Sequence, residues 1–334
     1  MKKNILAGIA VSCVCIYFAL RGINLSEVAA TFRAMQYTYI IPVVLISLAS
    51  LYLRSYRWGV MLDRLVSYDQ WTLFKISAIG FMAIGVLPAR LGEFVRPYLV
   101  KQQSGVRMSA TMATVVLERV FDLLTLMLFL FVVLVKISLP PEIFKAGIVM
   151  LTLSLTVLTV LIVFGTKRDF SAQIIGKVLK FLPGRIGAPA ARLADSFLEG
   201  LQLLPDVKKT LWVLLLSLLN WLLIGLSNYV LFYAFGIHLS IYNAFAILAI
   251  VALGIMIPAA PGFIGTYHYA CVLGLTTFGI AKSQALSYAV ALHFLQMSPA
   301  ILVGLLLLPF QKLSFGGLVK KAEVCAENDS GQEI

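Results

Sequence analysis

Gly85-Val86-Leu87-Pro88-Ala89-Arg90-Leu91-Gly92-Glu93-Phe94-Val95-Arg96 is the stretch that decides how this chain folds. It interrupts an apolar run that begins near residue 73 with a proline, two glycines and three ionisable side chains. Proline removes a backbone donor and glycine weakens a helix, so the run breaks here instead of crossing as one rod. A second stretch, Gly254-Ile255-Met256-Ile257-Pro258-Ala259-Ala260-Pro261-Gly262, repeats the element Pro-Ala-x-x-Gly.

The surroundings of both breaks are those of a membrane protein. Of 334 residues, 60% are hydrophobic and 13% charged, with a mean hydropathy of +0.95. A soluble domain carries about 25% charged residues, and a wetted exterior cannot be built from half that number. Disorder is excluded by the apolar content. Four cysteines (Cys13, Cys15, Cys271, Cys325) without redox or metal-ligand spacing exclude a disulfide scaffold. Net charge is +12, from 27 Lys and Arg against 15 Asp and Glu. In a chain this apolar, the excess reads as cytoplasmic loop bias and contact with anionic lipid, not as nucleic-acid binding.

Nine apolar segments can be drawn, near residues 5–20, 39–53, 73–88, 109–135, 146–165, 211–235, 241–257, 266–281 and 284–310. The expectation is an all-α polytopic protein with about 7–9 transmembrane segments, each needing about 20 apolar residues. The first follows Lys2-Lys3 and reads as an uncleaved span. Residues 1–312 form a single membrane domain and 313–334 a polar cytoplasmic tail. Residues 166–209 hold eight Lys and Arg against four acids and should lie in the cytoplasm as two short amphipathic helices split at Pro183-Gly184. Arg54, Arg57 and Trp58 read as an interfacial belt.

Parity then makes the first break informative. A full crossing at 73–88 would put Lys101 and Arg107 outside, against the charge rule. A re-entrant hairpin turning at residues 89–92 keeps them inside, with both termini cytoplasmic. The second break approaches from the opposite face. Gly/Pro-interrupted segments in corresponding positions of two halves point to an inverted repeat with its site at the breaks.

Six ionisable groups sit where lipid is expected: Arg90, Glu93 and Arg96 at the first break, then Glu118, Arg119 and Asp122 in the fourth segment. At about 2.5–3.5 kcal/mol each, six unpaired charges would cost about 15–21 kcal/mol, more than a typical fold's stability. Three cations meet three anions, so the expectation is two complementary stripes facing across a polar cavity. Arginine suits such a cavity because its planar fork grips phosphate and stays charged when buried. A clasp holding the broken helix to the fourth segment is the alternative reading. His268 and His293 read as helix-to-helix hydrogen-bonding groups. The chain has no phosphate-binding glycine loop before a lysine, no G-x-S-x-G and no H-E-x-x-H, so the expectation includes no cofactor, no metal and no catalytic residue.

These residues resemble a known family. Pro88-Ala89-Arg90-Leu91-Gly92-Glu93-Phe94-Val95-Arg96 with Glu118-Arg119 and Asp122 is similar to the P-x-R-x-G-E-x-x-R … E-R-x-x-D pattern of the lysylphosphatidylglycerol synthetase transmembrane, or flippase-like, family. Pro258-Ala259-Ala260-Pro261-Gly262-Phe263-Ile264-Gly265 resembles its second pattern, P-x-x-P-G-G-x-G. The resemblance covers about residues 1–310 and is to the translocating half, without an aminoacyl-transferase domain. This chain departs at Ile84-Gly85, where the family often has Asn, at Phe263 for the second Gly, and at His268, where many members carry Glu.

What the resemblance implies is an inner-membrane protein that moves lipids or lipid-linked molecules between leaflets. It marks Arg90, Gly92, Glu93, Arg96, Glu118, Arg119, Asp122, Pro261, Gly262 and Gly265. The expected function is translocation of an anionic phospholipid or polyprenyl-linked lipid, with Arg90, Glu93, Arg96, Glu118, Arg119 and Asp122 at the headgroup. Pro88, Gly92, Pro258, Pro261, Gly262 and Gly265 would be hinges, and His268 a polar group at the second break. Two alternatives stay open: a membrane-embedded enzyme acting on lipid phosphate or lipid-linked sugar, and an accessory subunit for a lipid-synthesis enzyme or glycosyltransferase.

Overall fold

The computed structural model describes residues 2–137, 141–179, 184–256, 260–311 and 317; Pro258 and the tail from 318 onward fall outside them. Thirteen α-helices make up the fold, and no strand occurs among the described residues. α1 (Lys2–Leu20) and α2 (Leu25–Ala34) lead into two similar four-helix units. The first is α3 (Ile40–Leu62), α4 (Gln70–Val86), α5 (Val95–Ser104) and α6 (Met108–Lys136). The second is α10 (Val207–Ala234), α11 (Ile241–Gly254), α12 (Thr266–Thr277) and α13 (Lys282–Leu307). Between them lie α7 (Pro141–Thr166), α8 (Arg168–Leu179) and α9 (Gly184–Gly200).

Each unit is built as long helix, short arm, break, short arm, long helix. In the first, a 3-10 turn over Pro88–Phe94 reverses the chain. A Cβ on Gly92 would stand 2.2 Å from the Ile84 backbone nitrogen, and one on Gly80 would meet the Arg96 stem. Residue 84 therefore faces 92 and 80 faces 96, so α4 and α5 are antiparallel arms of a hairpin. In the second unit Gly254 packs on Ala270 and Gly274 on Ile247 and Ile250, which is again an antiparallel hairpin. Local sequence starts both descending arms. Asp69 accepts from the Thr72 N–H at 2.8 Å to cap α4, and Ser240 with Asn243 forms a capping box on α11.

The units are related by an internal two-fold. α3 and α10 pack antiparallel along their length: Asp63 pairs with Lys209, Ser50 hydrogen-bonds Asn220 at 2.7 Å, and the Tyr39 and Tyr233 rings stack. Ser50 and Asn220 are 170 residues apart, the same spacing that separates Pro88 from Pro258 and Gly92 from Gly262. A residue touches its own counterpart only on the symmetry axis, so that axis passes through the Ser50–Asn220 bond. The remaining packing obeys it: α4 lies on α13 as α11 lies on α6, and α3 touches α13 as α10 touches α6. Because the axis lies across antiparallel helices, the repeat is inverted.

The count of 7–9 spans is not confirmed among the described residues. Four helices are long and apolar enough to cross a membrane (Tyr37–Leu62, Phe144–Thr166, Val207–Ala234 and Lys282–Gln311), or five if α1 and α2, bent by 79°, count as one. α4 and α11, at 17 and 14 residues, are too short. α6 has 29 residues, but Glu118, Arg119 and Asp122 interrupt its apolar character. The two amphipathic helices expected in 166–209 are α8 and α9. α9 packs on α6, where Gly200 abuts Ala110 and Ala113.

Candidate functional site

α6 places Glu118 and Asp122 one turn apart on one face, both buried. α3 contributes Arg57, α5 contributes Arg96, and α10 contributes Ser217 and Trp221. Arg57 Nη2 donates to Glu118 Oε1 at 3.1 Å, while its Nη1 reaches Asp122 Oδ1 at 2.6 Å and Ser217 Oγ at 2.7 Å. Arg96 Nη1 donates to the other Glu118 oxygen at 2.8 Å, so one carboxylate bridges two arginines, one on each oxygen. Trp221 Nε1 donates to Asp122 Oδ1 at 2.9 Å. Four helices from both repeats therefore meet on two carboxylates.

Aromatic rings wall the cluster. The Arg96 guanidinium lies 4.9 Å from the ring centroids of both Trp58 and Phe81, and that of Arg54 lies 3.7 Å from Phe81. Such cation–π contacts are worth about 0.5–2 kcal/mol, the larger values when desolvated. Trp58 is fixed by its Nε1–H to Thr114 Oγ1 at 3.1 Å. Glycine at position 80 leaves the room through which the Arg96 stem passes.

Arg119 marks the outer edge, 4.0 Å from Glu118 Oε1 and 3.8 Å from Asp122 Oδ2, with its side chain 36% exposed. Arg57, Arg96 and Glu118 have no exposed surface, so the expected open cavity between two stripes is instead a closed cluster. Its donors are not all used. Arg54 Nε, Arg57 Nε, Arg96 Nε and Nη2, and Arg119 Nε are buried without a partner. Among the described side chains four arginines (Arg54, Arg57, Arg96, Arg119) face three carboxylates (Glu93, Glu118, Asp122), where three of each, Arg90 included, were expected.

Of the residues singled out in the sequence, Arg96, Glu118, Arg119 and Asp122 come together. Glu93 sits half-buried on the 3-10 turn next to Arg96's helix. The side chains of Pro88 and Arg90 lie outside the described residues. Arg57 and Trp58 overturn the interfacial-belt reading, because both are fully buried. Their aromatic neighbours Tyr52 and Tyr56 do face outward, which is why the segment looks like a belt. The step of three from Arg54 to Arg57 repeats that of Arg90, Glu93 and Arg96, and it was the available sign of a charged helix face.

At the second break Pro261 opens a short 3-10 turn, and Gly262 and Gly265 adopt φ of 64° and 99°, which suits glycine. A Cβ on Gly262 would stand 3.0 Å from the Gly85 carbonyl oxygen, so the two breaks touch. His268 stands beside His293, their ring centroids 4.8 Å apart, and His293 Nε2 lies 2.7 Å from the Gly262 carbonyl oxygen. His293 reads from the sequence as a helix-to-helix group, and its bond runs to the turn of the second break. A neutral network continues behind it: Tyr267 donates to Gln296, Gln296 to Asn228 Oδ1, and Tyr288 to the Asn228 carbonyl.

The fold and cluster define a multi-pass helical membrane protein with two broken hairpins in inverted repeat and a buried arginine–carboxylate cluster at one of them. The chain belongs to the family described as the lysylphosphatidylglycerol synthase TM region, whose model matches residues 5–304. It is 26% identical over 228 residues to a UPF0104 membrane protein of Methanocaldococcus jannaschii, covering 66% of this chain and 89% of that one. It is 21% identical over 300 residues to a UPF0104 membrane protein of Methanothermobacter thermautotrophicus, covering 85% and 88%. The glycosyltransferase AglD of Haloferax volcanii is 24% identical over 337 residues; the match takes in 91% of this chain but 54% of AglD, so this chain spans about half its length. No solved structure matches.

Proposed function

We propose that this protein is a lipid translocase, moving an anionic phospholipid or a polyprenyl-linked lipid between leaflets with the phosphate at the arginine cluster. The observation that carries this reading is the imbalance of the cluster. A structural clasp needs equal charges and satisfied donors, whereas among the described side chains arginines exceed carboxylates and buried guanidinium N–H groups have no partner. Each such orphan costs about 1–3 kcal/mol, which an incoming phosphate would return as charge-assisted hydrogen bonds. Glu118 and Asp122 hold the arginines apart in its absence. Pro88, Gly92, Pro261, Gly262 and Gly265 supply the turns about which the hairpins move, and Arg119 is the side chain that first meets a headgroup. The lipid is unaltered by passage, so the protein is not an enzyme on this reading.

The test is a leaflet-reporting fluorescent anionic phospholipid in proteoliposomes. Arg96→Lys keeps the charge but loses the fork and should slow translocation about tenfold, one charge-assisted bond being worth about 1.5–3 kcal/mol. Equal rates for the parent protein, Arg96→Lys and protein-free vesicles overturn the proposal.

The likeness to AglD favours a second reading, a membrane-embedded enzyme or accessory subunit in the synthesis of lipids or lipid-linked glycans. Covalently altered lipid after incubation with the purified protein separates it from translocation.

A further inference from the structure

We infer that His268 and His293 form a proton-binding site that controls the second break: a proton taken up at His268 Nδ1 releases the turn at Gly265. The inference goes beyond the lipid reading and does not depend on it.

The turn at residues 260–265 leaves peptide groups outside any helix, and two of them are held by the two imidazoles. The Gly262 carbonyl can only accept, so His293 Nε2, 2.7 Å away, carries a hydrogen and donates. Gly265 N–H can only donate, so His268 Nδ1, at a long 3.4 Å, is the acceptor and must be bare. The two rings therefore have opposite roles. Protonation of His293 leaves its bond intact, since Nε2 still donates. Protonation of His268 turns an acceptor into a donor facing a donor, and that bond is lost. It also sets a positive charge 4.8 Å from the second ring.

What surrounds the pair decides whether such a charge is absorbed. On α12 itself, Tyr267 lies 5.9 Å from His268 and 4.6 Å from His293 between ring centroids, and Cys271 follows one turn on. α1 presents the Ser12 hydroxyl, which accepts from Ala260 N–H at 2.7 Å. α4 presents the Gly85 carbonyl, and α11 packs through Gly254 and apolar residues. The first break, which touches the second, carries Arg90, Glu93 and Arg96. Among the described residues neither imidazole is ion-paired with a carboxylate.

The turn is also where three parts of the molecule lock together. A Cβ on Gly265 would stand 2.6 Å from the Ser12 carbonyl oxygen, and Gly262 abuts Gly85. Phe263, between them, is the one described residue other than glycine with positive φ, at 60°. For a bulky residue that conformation is strained, so the segment is held and not relaxed. Release of Gly265 loosens the docking of the second break on α1 and on the first break together.

The test is amide hydrogen exchange of the peptide spanning residues 260–266 in the full-length protein in nanodiscs. Rates are corrected for chemistry with the same sequence as a free peptide. Protection at Gly265 should fall about tenfold as pH is lowered from about 7.5 to about 3 in the parent protein, as His268 takes up its proton. His268→Gln, which keeps an acceptor but does not titrate, should remain protected across the range. His293→Gln should keep the response and move it to higher pH, because the second positive charge is gone. An unchanged response in His268→Gln, its absence in the parent, or its loss in His293→Gln alone overturns the inference.

Discussion

The two hairpins share a backbone plan and differ in what they bury. The first surrounds charge: Glu118 and Asp122 with Arg57, Arg96 and Arg119. In the second, the residues 170 positions later are Tyr288 for Glu118, Leu292 for Asp122, Ser227 for Arg57 and Thr266 for Arg96. One half of an inverted repeat is thus ionic and the other neutral, held by Tyr267, Gln296, Asn228 and two histidines. A symmetric backbone places equivalent breaks in the two halves, and side-chain chemistry makes them unequal. On the proposed reading, a lipid phosphate meets its counter-charge at the first break only.

The comparison can be broken outright by topology. Inverted units require that single cysteines at Gln102 and Asn243 react from opposite membrane sides with an impermeant thiol reagent; the positive-inside bias predicts the cytoplasmic side for Gln102. Labelling from one side removes the inversion.

Next in size is the ionic half itself. Glu118→Ala strands two buried arginines and should cost about 3–5 kcal/mol, read as a fall in Tm in detergent. Tyr288→Phe at the equivalent place removes one neutral hydrogen bond and should cost about 1 kcal/mol. Equal losses would mean the halves are energetically alike.

The two turn glycines sharpen it further. Gly92→Ala puts a methyl group into the Ile84 backbone, where nothing can yield, and should cost about 2–4 kcal/mol by thermal unfolding. Gly262→Ala meets only the Gly85 carbonyl but must hold positive φ, at about 1–2 kcal/mol.

The smallest effect lies at the ends of the central helix pair. The carboxyl of Asp206 is held below its ordinary range by the Lys209 backbone N–H and then by Arg64. A depressed folded value gives stability that is present above the unfolded value and lost as pH falls through the folded one. Tm should therefore decline as pH drops below about 4, and Asp206→Asn should flatten part of that decline.

Much of this was legible beforehand because it rests on local chemistry. Pro88, Gly92, Pro261 and Gly262 mark turns wherever they stand in an apolar run, and Glu118 and Asp122 fall on one helix face by period alone. Arg57 was not legible. Tyr52, Tyr56 and Trp58 around it are what an interface uses, and only α10 and α6 closing over α3 turn it inward. The span count is not confirmed for a related reason: apolar length is the same whether a helix crosses lipid or folds back on its neighbour.

By itself, the sequence determined that the chain is helical and membrane-embedded, that it breaks twice, and that its membrane-depth charges must find partners. Those follow from transfer costs and backbone geometry, which act on each segment alone. The tertiary structure decided which partners they find, that the cluster is closed and cationic, and that Ser50 meets Asn220 on a two-fold axis. These depend on contacts between segments up to 170 residues apart, fixed by packing across the whole fold.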